Sequence, residues 1–453
     1  MADPLTDARL LLERHFGYSE FRAPQERVVQ SVLGGRDTLA VLPTGAGKSV
    51  CFQVPALTLP GATVVISPLI ALMQDQVAGA QRRGIAAESL HSLQSPRHQA
   101  AILERLGRGE VKLLYVAPER CRRLGKVLSE GGVAVSLLAV DEAHCISEWG
   151  HDFRPAYRAL GGFRSRVGWP PAVALTGTAT PTVRSDIARA LGLGRRGGYD
   201  MHLVSFDRRN LWFGVTRVEN ERDRLRRLLE LLSRRDGLAI VYAATRNLSE
   251  EVARVLVESG YRAAAYHAGL TKLERRDVLD RFLGDGLDVV AATSAFGLGI
   301  DKPNVRLVVH WTLPPSPESY YQEAGRAGRD RAPARCILLY RPGDGELPRR
   351  ELEVTFPPEK TVERAWRDPG FAATLPRSVQ TAIGRLRSEL RPSWRKVDWS
   401  GVRRRHREAL DRIRTVERYA AEGRCRRAAL LEYFGQKLPR CAGCDVCDGR
   451  GRR

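Results

Sequence analysis

The strongest constraint on how this chain folds is a rhythm that occurs twice. Short apolar runs at 38–42, 63–67, 112–116, 136–140 and 172–176 alternate with segments of helical periodicity up to Leu191. The alternation resumes from Leu211 to Leu339, with runs at 238–242, 263–266, 288–291, 306–310 and 335–339. Runs this short and this continuously apolar fit strands buried on both faces, and a strand–helix–strand unit returns as a parallel neighbour. Two successive series predict an α/β chain with two tandem parallel-sheet domains, helices on both faces of each. The glycine-rich residues 192–198 mark the start of the linker region between them. No short-period repeat is present.

After Tyr340 the pattern changes. Residues 341–400 mix Pro, Gly, Trp and charges with little periodicity and read as a spacer. Residues 402–433 read as helical with arginines dense on the polar positions, and a Cys-rich knot follows. The expected organisation is 1–205, 206–342 and 343–453. A length of 453 residues accommodates about three domains, and 43% hydrophobic residues excludes wholesale disorder.

Lys and Arg number 73 against 52 Asp and Glu, a net charge of +21. Such an excess favours a polyanionic partner. A GC-rich genome would enrich arginine equally well. Residues 1–9 lack an apolar signal core, and no stretch of about 18 apolar residues occurs. The expectation is a cytoplasmic, nucleoid-associated protein with no membrane partner. Cys51, Cys121, Cys145 and Cys336 are scattered singly and read as packing residues; the other four cysteines crowd the C-terminus. That distribution fits a reduced compartment and one local metal site.

Residues 42–49 follow a predicted strand and precede a helical stretch. Gly45 and Gly47 let backbone N–H groups close around phosphate oxygens, Lys48 can reach the β- and γ-phosphates, and Ser49 can ligate Mg²⁺. Leu42 stands where the strict pattern has Gly, and a chance glycine-rich turn is the alternative. Asp141 and Glu142 follow the run 136–140, at the mouth of a buried strand. There Asp141 would hold the metal and Glu142 would orient and deprotonate a water; alone, the pair would read as a helix N-cap. Directly after them, Trp149, Phe153 and Tyr157 interleave with His144, His151 and Arg154, a set of rings and cations suited to unstacked bases and phosphates. Simple burial of the rings is the competing reading. In residues 320–330, Arg326 and Arg329 stand three apart, which on a helix puts them on one side. They are either a solvated face or a guanidinium offered to a transferring phosphoryl group.

In combination these motifs resemble the RecQ family of superfamily 2 DNA helicases. Phe16-Gly-Tyr with Phe21, Arg22 and Gln25 is similar to the family's adenine-reading segment, in which Gln25 would recognise the base edge. The phosphate loop, comprising Thr44, Gly45, Ala46, Gly47, Lys48 and Ser49, follows in family order. So do residues 67–76, 115–120, 141–157, 175–179, 295–303 and 322–329. The resemblance implies two RecA-like motor domains followed by a helical zinc-binding subdomain. It implies ATP, Mg²⁺ and Zn²⁺ as cofactors, and ATP-driven 3′–5′ movement on single-stranded DNA with duplex unwinding in repair or recombination. It assigns Arg329 as the arginine finger and gives Arg326 the link between nucleotide state and DNA. The expected partners are single-stranded DNA, single/double-strand junctions and a single-stranded-DNA-binding protein, with the helicase itself a monomer. Glu148 and Ala156 depart from the family's usual Gln and Glu, and the spacer 341–424 is long. A short form is expected, without the winged-helix and helicase-and-RNase-D C-terminal domains.

Cys425, Cys441, Cys444 and Cys447 offer four thiolates within a short span, enough for one tetrahedral zinc. An iron–sulfur cluster is the other ligand class that four cysteines can hold. Residues 403–427 extend a positive track or form a solvated helix face. Three functions remain open: a DNA-stimulated ATPase that separates strands, a binding or annealing protein on a residual motor fold, and an RNA-directed enzyme of the same superfamily.

Overall fold

The structure, a computed structural model, describes residues 4–43, 45–148, 153–297, 302–390 and 397–450. The chain divides into two compact units, Met1–Phe206 and Asp207–Arg453. The first is built on seven strands: β1 Asp37–Val41, β2 Ala62–Ile66, β3 Ala87–Leu90, β4 Leu113–Val116, β5 Val135–Val140, β6 Ala172–Thr176 and β7 Tyr199–Leu203. All their ladders are parallel, in the order β3-β4-β2-β5-β6-β1-β7. Every residue of β1, β2 and β6 is buried, as a parallel sheet covered on both faces requires. Val28, Leu42, Phe52, Val65, Met73 and Leu175 pack in the core of this unit.

The second unit carries a six-stranded parallel sheet. Its strands are β8 Leu211–Arg217, β9 Leu238–Tyr242, β10 Ala263–Tyr266, β11 Val289–Ala292, β12 Val305–His310 and β13 Ala334–Tyr340, in the order β10-β11-β9-β12-β13-β8. The C-terminal Cys module covers the free edge of β8. Val215 N donates to Asp445 Oδ2 at 3.0 Å, Trp212 Nε1 donates to Asp448 Oδ2 at 2.6 Å, and Phe213 bridges Cys444. An uncovered edge would offer a template for pairing with other chains, and this contact removes it.

The strands β3, β7 and β8 are additional to the ten apolar runs. β3 reads Ala-Glu-Ser-Leu and β7 Tyr-Asp-Met-His-Leu, and β7 is largely half-buried. Each lies at a sheet edge, where one side needs no apolar partner and the continuous run is lost. The larger correction concerns 341–400, whose described residues 341–390 and 397–400 are folded rather than a spacer. Helices Glu346–Thr355, Glu359–Arg367, Pro369–Thr374 and Arg377–Leu390 gather around a core of Val362, Ala365, Ile383, Leu386, Trp399 and Val402. Trp366 stacks on Trp399 at 5.7 Å with the rings 10° apart, and Trp399 Nε1 donates to Glu363 Oε1 at 3.0 Å. Pro358, Pro369 and Pro376 cut this stretch into helices too short for a periodic window to register. The helical stretch expected over 402–433 is two helices, Ser400–Ala421 and Arg426–Tyr433, because Glu422 is extended and ends the first.

Leu386 is fully buried in that small core. Leu386→Ala is expected to destabilise it by about 2–5 kcal/mol, read as faster amide hydrogen exchange across 359–390. Unchanged exchange there would show that the segment has no packed core.

Candidate nucleotide site and metal centre

β1, β6 and β5 run side by side, with Val41 opposite Thr176 and Val140 opposite Ala174. Their C-terminal ends therefore open onto one edge, the position where parallel α/β sheets bind ligands. Three loops leave from it. After β1, residues 42–49 turn into the helix Val50–Thr58, and Leu42 N donates to Thr176 O at 2.9 Å. Gly45 and Gly47 have φ of 82° and 72°, a left-handed backbone that glycine adopts without strain. A Cβ at Gly47 would stand 2.4 Å from Gln25 Nε2, so the loop also needs glycine for space. Lys48 and Ser49 are half-buried at the loop–helix junction. Thr44 lies outside the described residues.

The expected adenine-reading residues fasten this loop. Gln25 is buried; its Nε2 donates to Ala46 O at 2.9 Å and Gly47 O at 3.3 Å, and its Oε1 accepts from Arg22 N at 3.0 Å. Arg22 Nη1 donates to Gly45 O at 2.8 Å. Phe16 packs against the core, with the Arg83 guanidinium 5.2 Å over its ring.

After β5 come Asp141 and Glu142. Asp141 is buried and its Oδ1 accepts from Glu142 N at 2.9 Å. Burial, and next the charge of Glu142, push the Asp141 carboxyl up to about 6, against the pull of Lys48. Glu142 has φ 45°, ψ 48°, a left-handed conformation uncommon outside glycine and concentrated at functional sites. Its Oε2 lies 3.3 Å from His144 Nδ1, which is 3.0 Å from Thr176 Oγ1. Burial works against charge on His144, but Cys145 and Glu142 outweigh it and hold the imidazole well above its ordinary value.

The aromatic segment divides. Trp149 and His151 lie outside the described residues. Phe153 and Arg154 are half-buried, and Arg154 Nη1 donates to Pro68 O at 2.6 Å. Tyr157 is fully buried, and its hydroxyl donates to Asp141 O at 3.3 Å. It belongs to the carboxylate site, because the 3-10 turn Pro155–Ala159 directs it inward. Spacing alone could not separate this ring from its neighbours.

In the second unit the helix Pro317–Ala324 stops before both arginines, which sit in turns with Gly328 at φ 54°. The helical spacing argument therefore fails. Arg326 is buried and its Nη1 donates to Gly297 O, whereas Arg329 is half-buried.

The thiols of Cys425, Cys441, Cys444 and Cys447 lie within 4.8 Å of one another, with Cys444 and Cys425 sulfurs 3.9 Å apart. Tetrahedral Zn–S bonds imply sulfur separations of roughly 3.8 Å. A cluster of several irons and sulfides would spread the thiols further, so the geometry fits a single zinc. The nucleotide edge likewise fits Mg²⁺·ATP: a glycine cradle for phosphates, with hard oxygen donors in Ser49 and Asp141.

Comparison with known proteins agrees with this architecture. Residues 22–187 match the family model described as DEAD/DEAH box helicase, and 221–331 the helicase conserved C-terminal domain. The DEAD-box helicase Mss116 bound to ssRNA and UDP-BeF has a similar fold, with TM-score 0.60 over 91% of this chain and 90% of that one at 17% identity. These matches define a helicase motor of two parallel-sheet lobes. Residues 388–448 match the RecQ zinc-binding model. The chain is 38% identical over 439 residues to the ATP-dependent DNA helicase RecQ of Haemophilus influenzae, covering 96% of this chain and 63% of the relative. It is 34% identical over 467 residues to the probable ATP-dependent DNA helicase RecS of Bacillus subtilis, covering 97% and 92%. The chain belongs to the RecQ family of ATP-dependent DNA helicases. It spans 63% of the length of the Haemophilus relative and nearly all of RecS.

The buried Asp141 has a pH signature. Its carboxyl is raised from the ordinary 3.8 to about 6, so folding binds its proton more tightly than the unfolded chain does. Its contribution to stability is full below about pH 4 and is lost as the pH rises to about 6. Asp141→Asn escapes that loss. Its melting temperature relative to wild type, in EDTA without nucleotide, is expected to climb between pH 4.5 and 7 and then level off. A difference independent of pH would mean that Asp141 titrates normally.

Proposed function

We propose that this chain hydrolyses ATP to drive 3′–5′ movement along single-stranded DNA and to separate duplex strands, in DNA repair or recombination. The observation that carries the reading is one sheet edge at which the glycine loop with Lys48 and Ser49 meets the buried Asp141 and the half-buried Glu142. Lys48 neutralises charge on the β- and γ-phosphates. Ser49 and Asp141 would hold Mg²⁺, which, when bound, supplies Lewis-acid neutralisation of the phosphates. Glu142, held in its left-handed turn beside His144, orients and deprotonates the attacking water. Arg329 supplies a guanidinium to the transferring phosphoryl group, and Arg326 reports nucleotide state through its bond to Gly297. Gln25 exchanges its loop carbonyls for the adenine edge when nucleotide enters.

DNA is the proposed polyanion, and the charge of +21 supports it. His144, Trp149, His151, Phe153 and Arg154 are assigned to sensing the strand. The division 1–205, 206–342 and 343–453 is proposed as two motor domains and a zinc-bearing helical domain. In the last, Cys425, Cys441, Cys444 and Cys447 hold Zn²⁺.

Lys48→Ala is expected to abolish ATP hydrolysis while leaving DNA binding largely intact, and Arg329→Ala to lower turnover by about 10³–10⁵-fold. Single-stranded DNA should stimulate wild-type hydrolysis more than RNA of equal length does. Normal turnover by Lys48→Ala would refute the site assignment, and stronger stimulation by RNA would refute the DNA substrate. One zinc per chain is expected by elemental analysis, and none in a Cys441→Ser/Cys444→Ser variant. Absorbance near 400 nm would instead mark an iron–sulfur centre.

A further inference from the structure

Ser49 occupies the N-cap position of the helix Val50–Thr58, yet its hydroxyl makes no cap hydrogen bond. Its backbone is already helical (φ −62°, ψ −34°) rather than in the extended conformation from which a serine caps the first turn of its own helix, so the oxygen is not spent there. Here the oxygen is engaged from another element: Gln76 Nε2, on the helix Ile70–Arg82, donates to Ser49 Oγ at 3.0 Å. The Gln76 amide is itself held. Its Oε1 accepts from Gln53 Nε2 at 3.1 Å, and Gln53 Nε2 also donates to Tyr115 OH at 2.8 Å. Gln53 and Tyr115 are buried, and burial pushes the Tyr115 phenol up, so it remains a protonated donor and acceptor.

This arrangement has a chemical consequence. A serine oxygen carries two lone pairs and one proton. A donor fixed on one lone pair restricts the hydroxyl rotor and leaves the other pair available to a hard cation. We infer that Gln76 is a positioning residue that holds Ser49 Oγ in the orientation that ligates Mg²⁺, and that the helix Ile70–Arg82 makes this hold responsive to DNA. The inference rests on the ATPase reading above.

The link to DNA rests on the segment that leads into the N-terminus of the same helix. Pro68 lies two residues before Ile70, and its carbonyl accepts from Arg154 Nη1. Arg154 closes the aromatic segment assigned to DNA. From Ile70 to Gln76 the helix rises roughly 9 Å at 1.5 Å per residue. A displacement of Arg154 would pass from Pro68 through the extended Leu69 into the first turns of the helix, and so to Gln76 and the metal-ligating oxygen. Gln76 closes the motif 67–76, but nothing in the sequence tells that its amide meets Ser49, and Gln53 belongs to no motif. Their contact exists only because the helix packs across the phosphate loop.

The test is equilibrium binding of a fluorescent ADP analogue, titrated with Mg²⁺ or in EDTA, to wild type, Ser49→Ala, Gln76→Met and the double variant. Methionine keeps the length of the side chain without its hydrogen bonds. Gln76→Asn, which withdraws the amide by one methylene, serves if the Met variant fails to fold. Gln76→Met should raise the Mg²⁺ concentration for half-binding by roughly tenfold, with affinity in EDTA unchanged. The double variant should match Ser49→Ala alone, because Gln76 acts through that oxygen. Additive losses, or an unchanged Mg²⁺ requirement, would overturn the positioning role. Saturating oligo(dT) should lower the Mg²⁺ requirement of wild type but not of Gln76→Met; an equal response in both would overturn the link to DNA. If wild-type protein shows no Lys48-dependent binding of the Mg²⁺ complex, the ATPase reading itself fails, which is a separate outcome.

Discussion

The parallel register of β1, β6 and β5 is the constraint on which the candidate site depends. Because these ladders run in the same direction and end together, the loops after Val41, Val140 and Thr176 leave from a single edge. The first bonds beyond the strands continue the sheet: Leu42 N donates to Thr176 O, and Asp141 N to Ile66 O, both at 2.9 Å. Each loop therefore starts from a fixed point. A slip of one residue would reverse which side chains face the core, and with every residue of β1 and β6 buried that slip is heavily penalised. Packing of the core thus fixes positions that matter only for chemistry.

The same edge concentrates negative charge where solvent cannot screen it. Asp141 is raised by burial and by Glu142, and Lys48 offsets only part of that penalty. A buried carboxylate with a half-buried one next to it, offset by one lysine, is a site that favours a further cation. The aromatic segment is tied to this pair at its base. Tyr157 OH donates to Asp141 O, and Arg154 N to Cys145 O at 2.9 Å, which anchors both residues beside the carboxylates.

What could be read from the sequence divides along physical lines. Strands buried on both faces, such as Leu238–Tyr242, announce themselves by composition. The phosphate loop and the carboxylate pair do so because their chemistry requires those residue types at strand ends. Edge strands such as Tyr199–Leu203 do not, since half of each is exposed. Residues 341–400 misled because prolines divide a real core into short helices. Arg326 and Arg329 misled differently: helical spacing holds only while the helix lasts, and this one ends at Ala324. Tyr157 and Gln76 fall inside stretches the sequence picks out, but their partners, Asp141 O and Ser49 Oγ, are distant in sequence, and no local pattern encodes those contacts.

The Cys module illustrates how a distant metal can support a motor sheet. Asp445 accepts from Val215 N on the open edge of β8 and also pairs with Arg426, the residue directly after Cys425. Arg427, fully buried, donates to Asp207 Oδ1, Arg208 O and Leu211 O, fastening the start of the same strand. The chain segments that bring the four thiols together are thus the segments that cover β8. Metal binding to such a site is in effect folding free energy, on the order of 10–16 kcal/mol in small zinc modules. With a metal bound, part of that energy would keep Asp445 and Asp448 against the edge of the six-stranded sheet. Without the metal, the six residues Asp445–Arg450 would have little to hold them as a helix, and the donors of β8 would face solvent. The arrangement puts the four thiols at the outer border of the second motor sheet, where a bound metal would act structurally.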